Sequence, residues 1–524
     1  MLKPSPGTTG PQLDMRQDPQ TQRTQVPLTL QQAVMRAIAN NLDVRIVSFD
    51  PAIARQEILQ AAAAFDYVVF ADYLYKKDDM QTSGPYGGGE VEKASYDLGI
   101  KNKTITGAEW SLAWQMSRTA ENSFFVGLPK RYEPQLTLQL AQPLLRNAWP
   151  VYNLARLDIA RLNEKVQMEM FRQNVEQVVS EVVSLYWTLI QSRRDLEIQQ
   201  QLLDATEQTL HRIQARAELD ATSVQINQIK SAYESRRALL LRAQKLVMDV
   251  QQQLTKRMAD AQLDLLGDYE VIPGTPLVDI PVQVDPTDRL LTALRYNPVL
   301  EQARLAIEVA DIEVKVAVNQ TLPRLDLTAS AGLHGLDGRP GQATDNLLTG
   351  DYASYSAGLQ FEYPLGNRER LAGLRGRRFQ RLKTITTLQN IADRLAVDLL
   401  ERVRQVDASY REMLAQQLAV QAARDQLKAM EDIERIRARL TPEFLQVKLS
   451  AQESLANAER SQVRALVEYN IALADLDRVT GTILQTYQVE LSDSMISPAA
   501  AIHSDGSIQS AVQPNKVDDQ LIHP

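Results

Sequence analysis

Residues 388–413 read LQNIADRLAVDLLERVRQVDASYREM. Leu388, Ile391, Leu395, Leu399, Val403, Val406, Tyr410 and Met413 recur mostly at three and four residues, and Glu401, Arg402, Arg404, Gln405, Asp407 and Arg411 fill the gaps. That spacing is the stripe of a coiled-coil-like helix, and it continues through Leu418 and Leu427. Between Arg377 and Thr480 there is no glycine and the only proline is Pro442; between Val151 and Leu266 there is neither. Stretches this long without breakers predict long helices. Each stretch offers one reversal. RAELDAT (216–222) supplies Asp220, Thr222 and Ser223 as caps, and in RLTPE (439–443) Thr441 serves as N-cap with Pro442 at the first helical position. The predicted helices are 148–217, 221–262, 366–439 and 442–481. A 70-residue helix is on the order of 100 Å long, more than a globular domain can contain.

The two halves are copies. LQQAVMRAIANNLDVR and DRLLTALRYNPVLEQAR place Asn41 and Asn297 at equivalent positions, and the helices that follow pair Ala54 with Ala310 and Glu57 with Glu313. Gln142-Pro143-Leu144 matches Tyr363-Pro364-Leu365, and SAYES (231–235) matches SAQES (450–454). Two copies at so long a period mean duplication and not a solenoid. The organisation follows: a disordered N-terminal segment 1–27; a first repeat 28–262 (short helix, strands 65–144, helical hairpin 148–262); a linker 263–285; a second repeat 286–484 (short helix, strands 323–364, helical hairpin 366–482); and a polar tail 485–524.

Between the helices the period changes to two. Leu325, Leu327, Ala329, Ala331 and Leu333 alternate with Arg324, Asp326, Thr328, Ser330 and Gly332; Tyr355, Ala357, Leu359, Phe361 and Tyr363 alternate with Ser354, Ser356, Gly358, Gln360 and Glu362; Leu136, Leu138 and Leu140 alternate with Glu133, Gln135, Thr137 and Gln139. This suits a membrane β-barrel with lipid outside and water inside. A sheet packed on its own helices alternates equally well. The helices flanking each strand region lie on one side of the membrane, so each region contributes an even number of crossings. Two per copy and four per chain are expected, with 95–117 enlarging an outer loop or lining the barrel and 335–351 a long Gly-rich loop. Four strands cannot close a barrel, and an open edge in lipid leaves backbone groups without partners. The barrel is therefore shared among chains.

The chain has 524 residues, no cysteine and a formal charge of −8. Disulfides, zinc-thiolate sites and thiol nucleophiles are excluded, and no global basic footprint points to nucleic acid. His211, His334, His503 and His523 are too scattered for a histidine metal site, and no dinucleotide fingerprint, P-loop or HExxH occurs. No catalytic, cofactor or metal site is expected. Residues 1–27 lack the apolar core of a signal peptide.

The duplicated plan, with LTLQQAVMRAIANNLDVR (28–45), AQPLLRNA (141–148), FEYPLGNRERLAGLR (361–375) and ALVEYNIALADLDRVTG (465–481), resembles the TolC-like outer membrane efflux protein family, the outer membrane factors, over about residues 28–485. The resemblance implies a homotrimer. Twelve strands form a shared barrel in outer-membrane lipid, and twelve long helices form an α-barrel in the periplasm. It implies a passive exit duct of a tripartite efflux pump or type I secretion system, with a periplasmic adaptor and an inner-membrane transporter as partners. Helical tips close the tunnel and meet the adaptor; here they map to Glu218 and Asp220 on one reversal and Arg437, Arg439, Thr441, Pro442 and Glu443 on the other. Those residues are candidates for a gate, with solvated capping charge as the plainer role. Glu133, Asp326 and Glu362, with Asp66 and Asp72, are candidates to line the barrel lumen and favour cations. Arg368, Arg370, Arg375, Arg377 and Arg378 are candidates to meet lipid head groups, and Trp110, Trp114, Tyr73, Tyr75 and Tyr352 to form interfacial girdles. Three departures stand out. No leader is visible, so the start lies upstream or the leader has been removed. Val447 and Ser450 precede Ala451 where some members carry paired aspartates, and no cysteine is available for a lipid anchor. The competing reading is a soluble coiled-coil scaffold with small β inserts.

Overall fold

A computed structural model describes residues 15–17, 24–79, 90–121, 127–215, 222–264, 267–436 and 441–489. The first copy opens with β1 (Arg16–Gln17) and β2 (Thr24–Leu28), then α1 (Leu30–Asn40), α2 (Leu42–Val47) and α3 (Phe49–Ala62). Four strands follow: β3 (Val68–Asp79), β4 (Glu90–Lys103), β5 (Glu109–Glu121) and β6 (Lys130–Pro143). The short α4 (Pro150–Asn153) leads into α5 (Ala155–Ala215), and α6 (Ser223–Met258) returns. After β7 (Tyr269–Pro273) come α7 (Pro286–Tyr296), α8 (Pro298–Gln320), β8 (Arg324–His334), α9 (Pro340–Thr349), β9 (Ala353–Glu362), α10 (Arg368–Ile436), α11 (Pro442–Thr480) and α12 (Ile483–Thr486).

The long helices sit where breakers are missing. Thr222 closes a capping box with Gln225 at the start of α6, and the Thr441 hydroxyl accepts from the Phe444 N–H with Pro442 in the first turn of α11. α11 ends on Gly481 at φ 72°, where an added Cβ would lie 2.5 Å from the Tyr296 carbonyl oxygen. Only glycine fits there. The duplication is physical as well as textual. Asn41 Oδ1 accepts from the Asp43 and Val44 N–H groups while its amide donates to the Arg257 carbonyl at 2.7 Å. Asn297 caps Val299 and Leu300 and donates to the Val479 carbonyl at 3.0 Å. Each asparagine thus joins a short helix to the far end of its own copy's returning helix.

One main core unites both copies. Val26, Leu28, Val175, Val179, Tyr186, Leu254, Val271, Val467 and Ile483 are buried in one cluster. Tyr186 donates to the Leu28 carbonyl at 2.8 Å and accepts from the Thr275 N–H at 3.0 Å. Two expectations change here. Residues 24–27 are not part of a disordered segment: Thr24–Leu28 pairs in parallel with Tyr269–Pro273, because Val26 and Leu28 find complete burial. The linker contributes that second strand.

The second sheet has the order β3-β4-β5-β6-β8-β9, antiparallel throughout, and β6–β8 pairing joins the copies. The fold class stands, but the strand count is corrected: six strands per chain, four of them from the first copy. Segment 95–117 does not enlarge a loop. Its two arms extend into β4 and β5 and pair in full register with their neighbours. The Gly-rich stretch 335–351 also holds a helix, α9, folded over β6; a Cβ at Gly335 would lie 2.1 Å from the Ala343 carbonyl oxygen.

Candidate functional site

The alternation of each strand becomes a property of the whole sheet through register. Ala71, Leu98, Trp114, Leu136, Leu333 and Ala353 lie side by side across all six strands. One residue along, Asp72, Asp97, Gln115, Gln135 and His334 form the adjoining row on the opposite face. One face is apolar and open: Tyr355 is 90% exposed and Val69 71%. Trp110, Trp114, Tyr73 and Tyr75 all fall on it, and Tyr73 stacks on Tyr96 at 4.8 Å. The other face carries Glu133, Asp326, Glu362 and Asp72 together.

Their charges are not free. Arg131 pairs with Glu133 and with Glu121, each at 3.1 Å, and Ser117 donates to Glu133 at 3.2 Å. Arg324 pairs with Asp326 at 2.6 Å and lies 3.8 Å from Glu362, which also has Arg146 at 3.9 Å. Glu133, Asp326 and Glu362 each have an arginine beside them, so this part of the face is close to charge-balanced. A strong cation preference does not follow from these three residues.

Of the arginines where helix meets sheet, Arg377 pairs with Glu313 on α8 at 2.9 Å. Arg55 and Asp311 hold equivalent places in the two copies and each reaches a long helix, Arg55 to Glu164 at 3.1 Å and Asp311 to Arg381. The signs are exchanged between copies.

Of the tip residues, Thr441 and Pro442 cap and start α11. Glu443 is exposed, and its carboxyl is held below the ordinary range by the helix-start backbone and the Thr441 hydroxyl. Glu218, Asp220, Arg437 and Arg439 lie outside the described residues. What the structure adds is a set of buried polar contacts just above the tips. Glu434 of α10 pairs with Lys448 of α11, itself 3% exposed, and lies 4.0 Å from Arg212 of α5. Arg236 of α6, 5% exposed, donates to Thr206 of α5 and, in α11, to Gln452 at 3.1 Å and the Leu449 carbonyl at 2.8 Å. Burial depresses the Arg236 pKa, which nearby Glu453 partly restores. Ile229, Leu445 and Leu449 pack beside this network. Both hairpins are therefore locked together by charge and by apolar contact. Sequence reading missed these residues, although a signal existed: Arg236 falls on the stripe Ile229, Ala232, Leu240, and Lys448 on the stripe Leu445, Ala451, Leu455. A charge on an apolar stripe has a buried partner.

Farther from the tips, Arg460 lies 3.5 Å from Asp195. Burial raises the Asp195 pKa and opposes that pairing. Glu176, 3% exposed, is pushed up to about 7, mainly by burial and against the pull of Arg172 at 3.1 Å. Among the described residues no group of three His, Asp or Glu could hold a metal ion, and no helix is long and apolar enough to cross a membrane.

Residues 290–482 match the family model described as outer membrane efflux protein. No curated protein matches the chain. Among solved structures, the Campylobacter jejuni CmeC outer membrane channel is similar with a TM-score of 0.63 at 15% identity, covering 87% of this chain and 86% of that one. A membrane protein from Pseudomonas aeruginosa gives 0.65 at 18% identity, covering 86% and 93%. The open state of the Neisseria gonorrhoeae MtrE outer membrane channel gives 0.62 at 14% identity, covering 87% and 89%. At these identities the likeness is one of fold. Over residues 290–482 the chain is similar in sequence to outer membrane efflux proteins, and over most of its length it shares the TolC-like fold of these outer-membrane channels.

Proposed function

We propose that this chain is the outer-membrane exit duct of an export machine, a tripartite efflux pump or a type I secretion system. It works as a homotrimer whose sheets stand in outer-membrane lipid and whose helices extend into the periplasm. It carries out no chemistry and needs no cofactor. A periplasmic adaptor meets the helical tips, and an inner-membrane transporter selects the cargo and supplies the energy.

The observation that carries this reading is the six-stranded sheet, apolar on one face, polar on the other and, among the described residues, open at both edges, set on two long helical hairpins. A soluble scaffold with β inserts would leave that apolar face in water, with Tyr355, Leu359, Phe361, Val69 and Tyr73 all more than 60% exposed. Contiguous surfaces of this kind mark a membrane or partner interface. Lipid and neighbouring copies account for both the face and the edges.

The locked region above the tips supports a closed resting state that adaptor binding loosens, with Glu218, Asp220, Arg437 and Arg439 at the reversals. Individual exposed ion pairs contribute only ~0.2–1 kcal/mol, but threefold repetition multiplies them. Membrane fractionation tests the main reading: a heat-resistant trimer in the outer membrane, copurifying with an adaptor and a transporter, is expected. Recovery as a soluble cytosolic protein would refute it. For the gate, Arg437→Ala or Arg439→Ala is expected to raise leak conductance in planar bilayers, and unchanged conductance would remove these residues from the gate.

A further inference from the structure

We propose that residues 90–121 are two additional membrane-crossing strands, so that three copies close a β-barrel of eighteen strands. This rests on the exit-duct reading and specifies its wall.

The added hairpin is built as wall and not as a flap. β4 pairs with β3 from Val68↔Lys101 to Asp79↔Glu90, and β5 pairs with β6 from Glu109↔Ala141 to Ala120↔Lys130. It is thus flanked along its length on both sides. Its alternation continues that of the sheet. Tyr96, Leu98 and Ile100 stand on the apolar face opposite Met116, Trp114 and Leu112. Asp97, Ser95 and Gln115, Ser117 stand on the polar face. A loop insertion above the membrane has no need of an apolar face in register with the lipid-facing rows. β4 and β5 run 14 and 13 residues, where a tilted strand needs about 9–11 to cross the hydrocarbon.

The hairpin's turn lies at the helix end of the sheet. The Thr106 carbonyl accepts from the Trp149 N–H at 3.0 Å and from the Gln142 amide at 3.2 Å. Asn102 donates to the Phe65 carbonyl at 2.6 Å. Gly107 takes φ +89°, and a Cβ there would lie 2.7 Å from the Asn147 carbonyl oxygen. The turn is therefore clasped to the segments entering α5 and leaving α3, and β4 and β5 traverse the same height as the other four strands.

The outermost strands are β3 and β9. β3 leaves the helical end after α3 and β9 returns to it before α10. They run in opposite directions, so β9 of one copy can continue the antiparallel meander with β3 of the next. That contact is head-to-tail and closes as a ring. With three copies the ring has eighteen strands, where four per chain would give twelve. Diameter grows roughly in proportion to strand number. At a spacing of about 4.8 Å and a tilt of about 40°, the backbone diameter is about 36 Å against about 24 Å. Four strand ends per chain continue into helices, while the added pair turns back at residues 104–108. The barrel is therefore wider than its helix count requires, and selection by size falls to the helical end.

The cysteine-free chain allows a clean test. Single variants Leu98→Cys, Leu112→Cys and Gln115→Cys are reconstituted as the full-length trimer in liposomes and treated with a membrane-impermeant maleimide. Gln115→Cys is expected to be alkylated, and Leu98→Cys and Leu112→Cys only after denaturation. Electron cryomicroscopy of the wild-type trimer is expected to show eighteen strands around the ring. Equal labelling of all three positions, or a twelve-strand ring with residues 90–121 outside it, overturns the proposal while leaving the duct intact. Failure to insert or to trimerise overturns the duct reading as well.

Discussion

Arg236→Met tests the lock between the hairpins. The substitution keeps most of the side-chain stem and removes the guanidinium. Three charge-assisted hydrogen bonds are lost, to Thr206, Gln452 and the Leu449 carbonyl, each worth about 1.5–3 kcal/mol. Against this, the burial cost that depresses the Arg236 pKa disappears. What remains is the loss of specific contacts plus an orphaned Gln452 oxygen, which costs about 1–3 kcal/mol. The net expectation is about 2–4 kcal/mol, confined to the region where α5, α6 and α11 meet. At about 1.4 kcal/mol per tenfold, local opening becomes about 30- to 1000-fold more frequent. Hydrogen exchange by mass spectrometry on the trimer reads this directly: peptides covering 206–213, 229–240 and 445–452 are expected to accelerate, and peptides of β6 and β8 to stay unchanged. Adding Gln452→Leu removes the orphan and is expected to recover about 1 kcal/mol, a coupling that only direct contact produces. In planar bilayers the single variant is expected to leak. Exchange altered by less than about threefold, or altered evenly along the chain, would refute the assignment of Arg236 as a lock.

Three further outcomes follow. Glu176 has a folded pKa near 7 against an ordinary 4.5, so the fold holds its proton more tightly than the unfolded chain. Its favourable contribution is complete below pH 4.5 and is lost as pH rises through 7. Glu176→Gln is therefore expected to gain up to about 3 kcal/mol over wild type at pH 8 and little at pH 4, read by thermal melts across pH. Asn297→Ala removes a helix cap and the tie to the Val479 carbonyl. It is expected to cost about 1–2 kcal/mol, seen as a lowered Tm; an unchanged Tm would show the tie to be passive. Tyr355→Arg puts a charge on the apolar face at a cost of up to about 2–4 kcal/mol and is expected to deplete the outer-membrane trimer. Ser356→Arg on the other face is expected to leave trimer yield intact, and equal effects would refute the two-faced sheet.

Much of the architecture was legible because it rests on periodicity. The helix ends, the reversal caps Thr222 and Thr441 and the paired role of Asn41 and Asn297 follow from breakers, caps and repeated segments. The count of strands did not follow in the same way. β3 and β5 alternate, but lysines and aspartates crowd the ends of β3, and β4 mixes Lys93, Asp97 and Lys101 with its apolar residues. Cross-strand register shows that Lys93, Asp97 and Lys101 share one face, opposite to Tyr96, Leu98 and Ile100. The lock above the tips was hidden for a different reason. Attention to reversals favours exposed charges, whereas Arg236 and Lys448 sit on apolar stripes about two to four turns away and find partners contributed by other helices. The cation bias assigned to Glu133, Asp326 and Glu362 was overstated because the pairing of Arg131 and Arg324 with them depends on rotamers and neighbouring strands.

The parallel pairing of Thr24–Leu28 with Tyr269–Pro273 bears on the order in which the molecule can form. Residues from 26, 271 and 483 share one core, and Tyr186 bonds to both Leu28 and Thr275. A chain delivered from its N-terminal side cannot complete that core with its first copy alone. The first hairpin can coil early, because its contacts are local, but β2 waits for β7, and the cluster waits for α12. Contacts of such long separation are slow to close. The two copies are thus duplicated in sequence yet a single unit in assembly, and a nascent first half keeps Val26 and Leu28 without their seat until the second half has followed it.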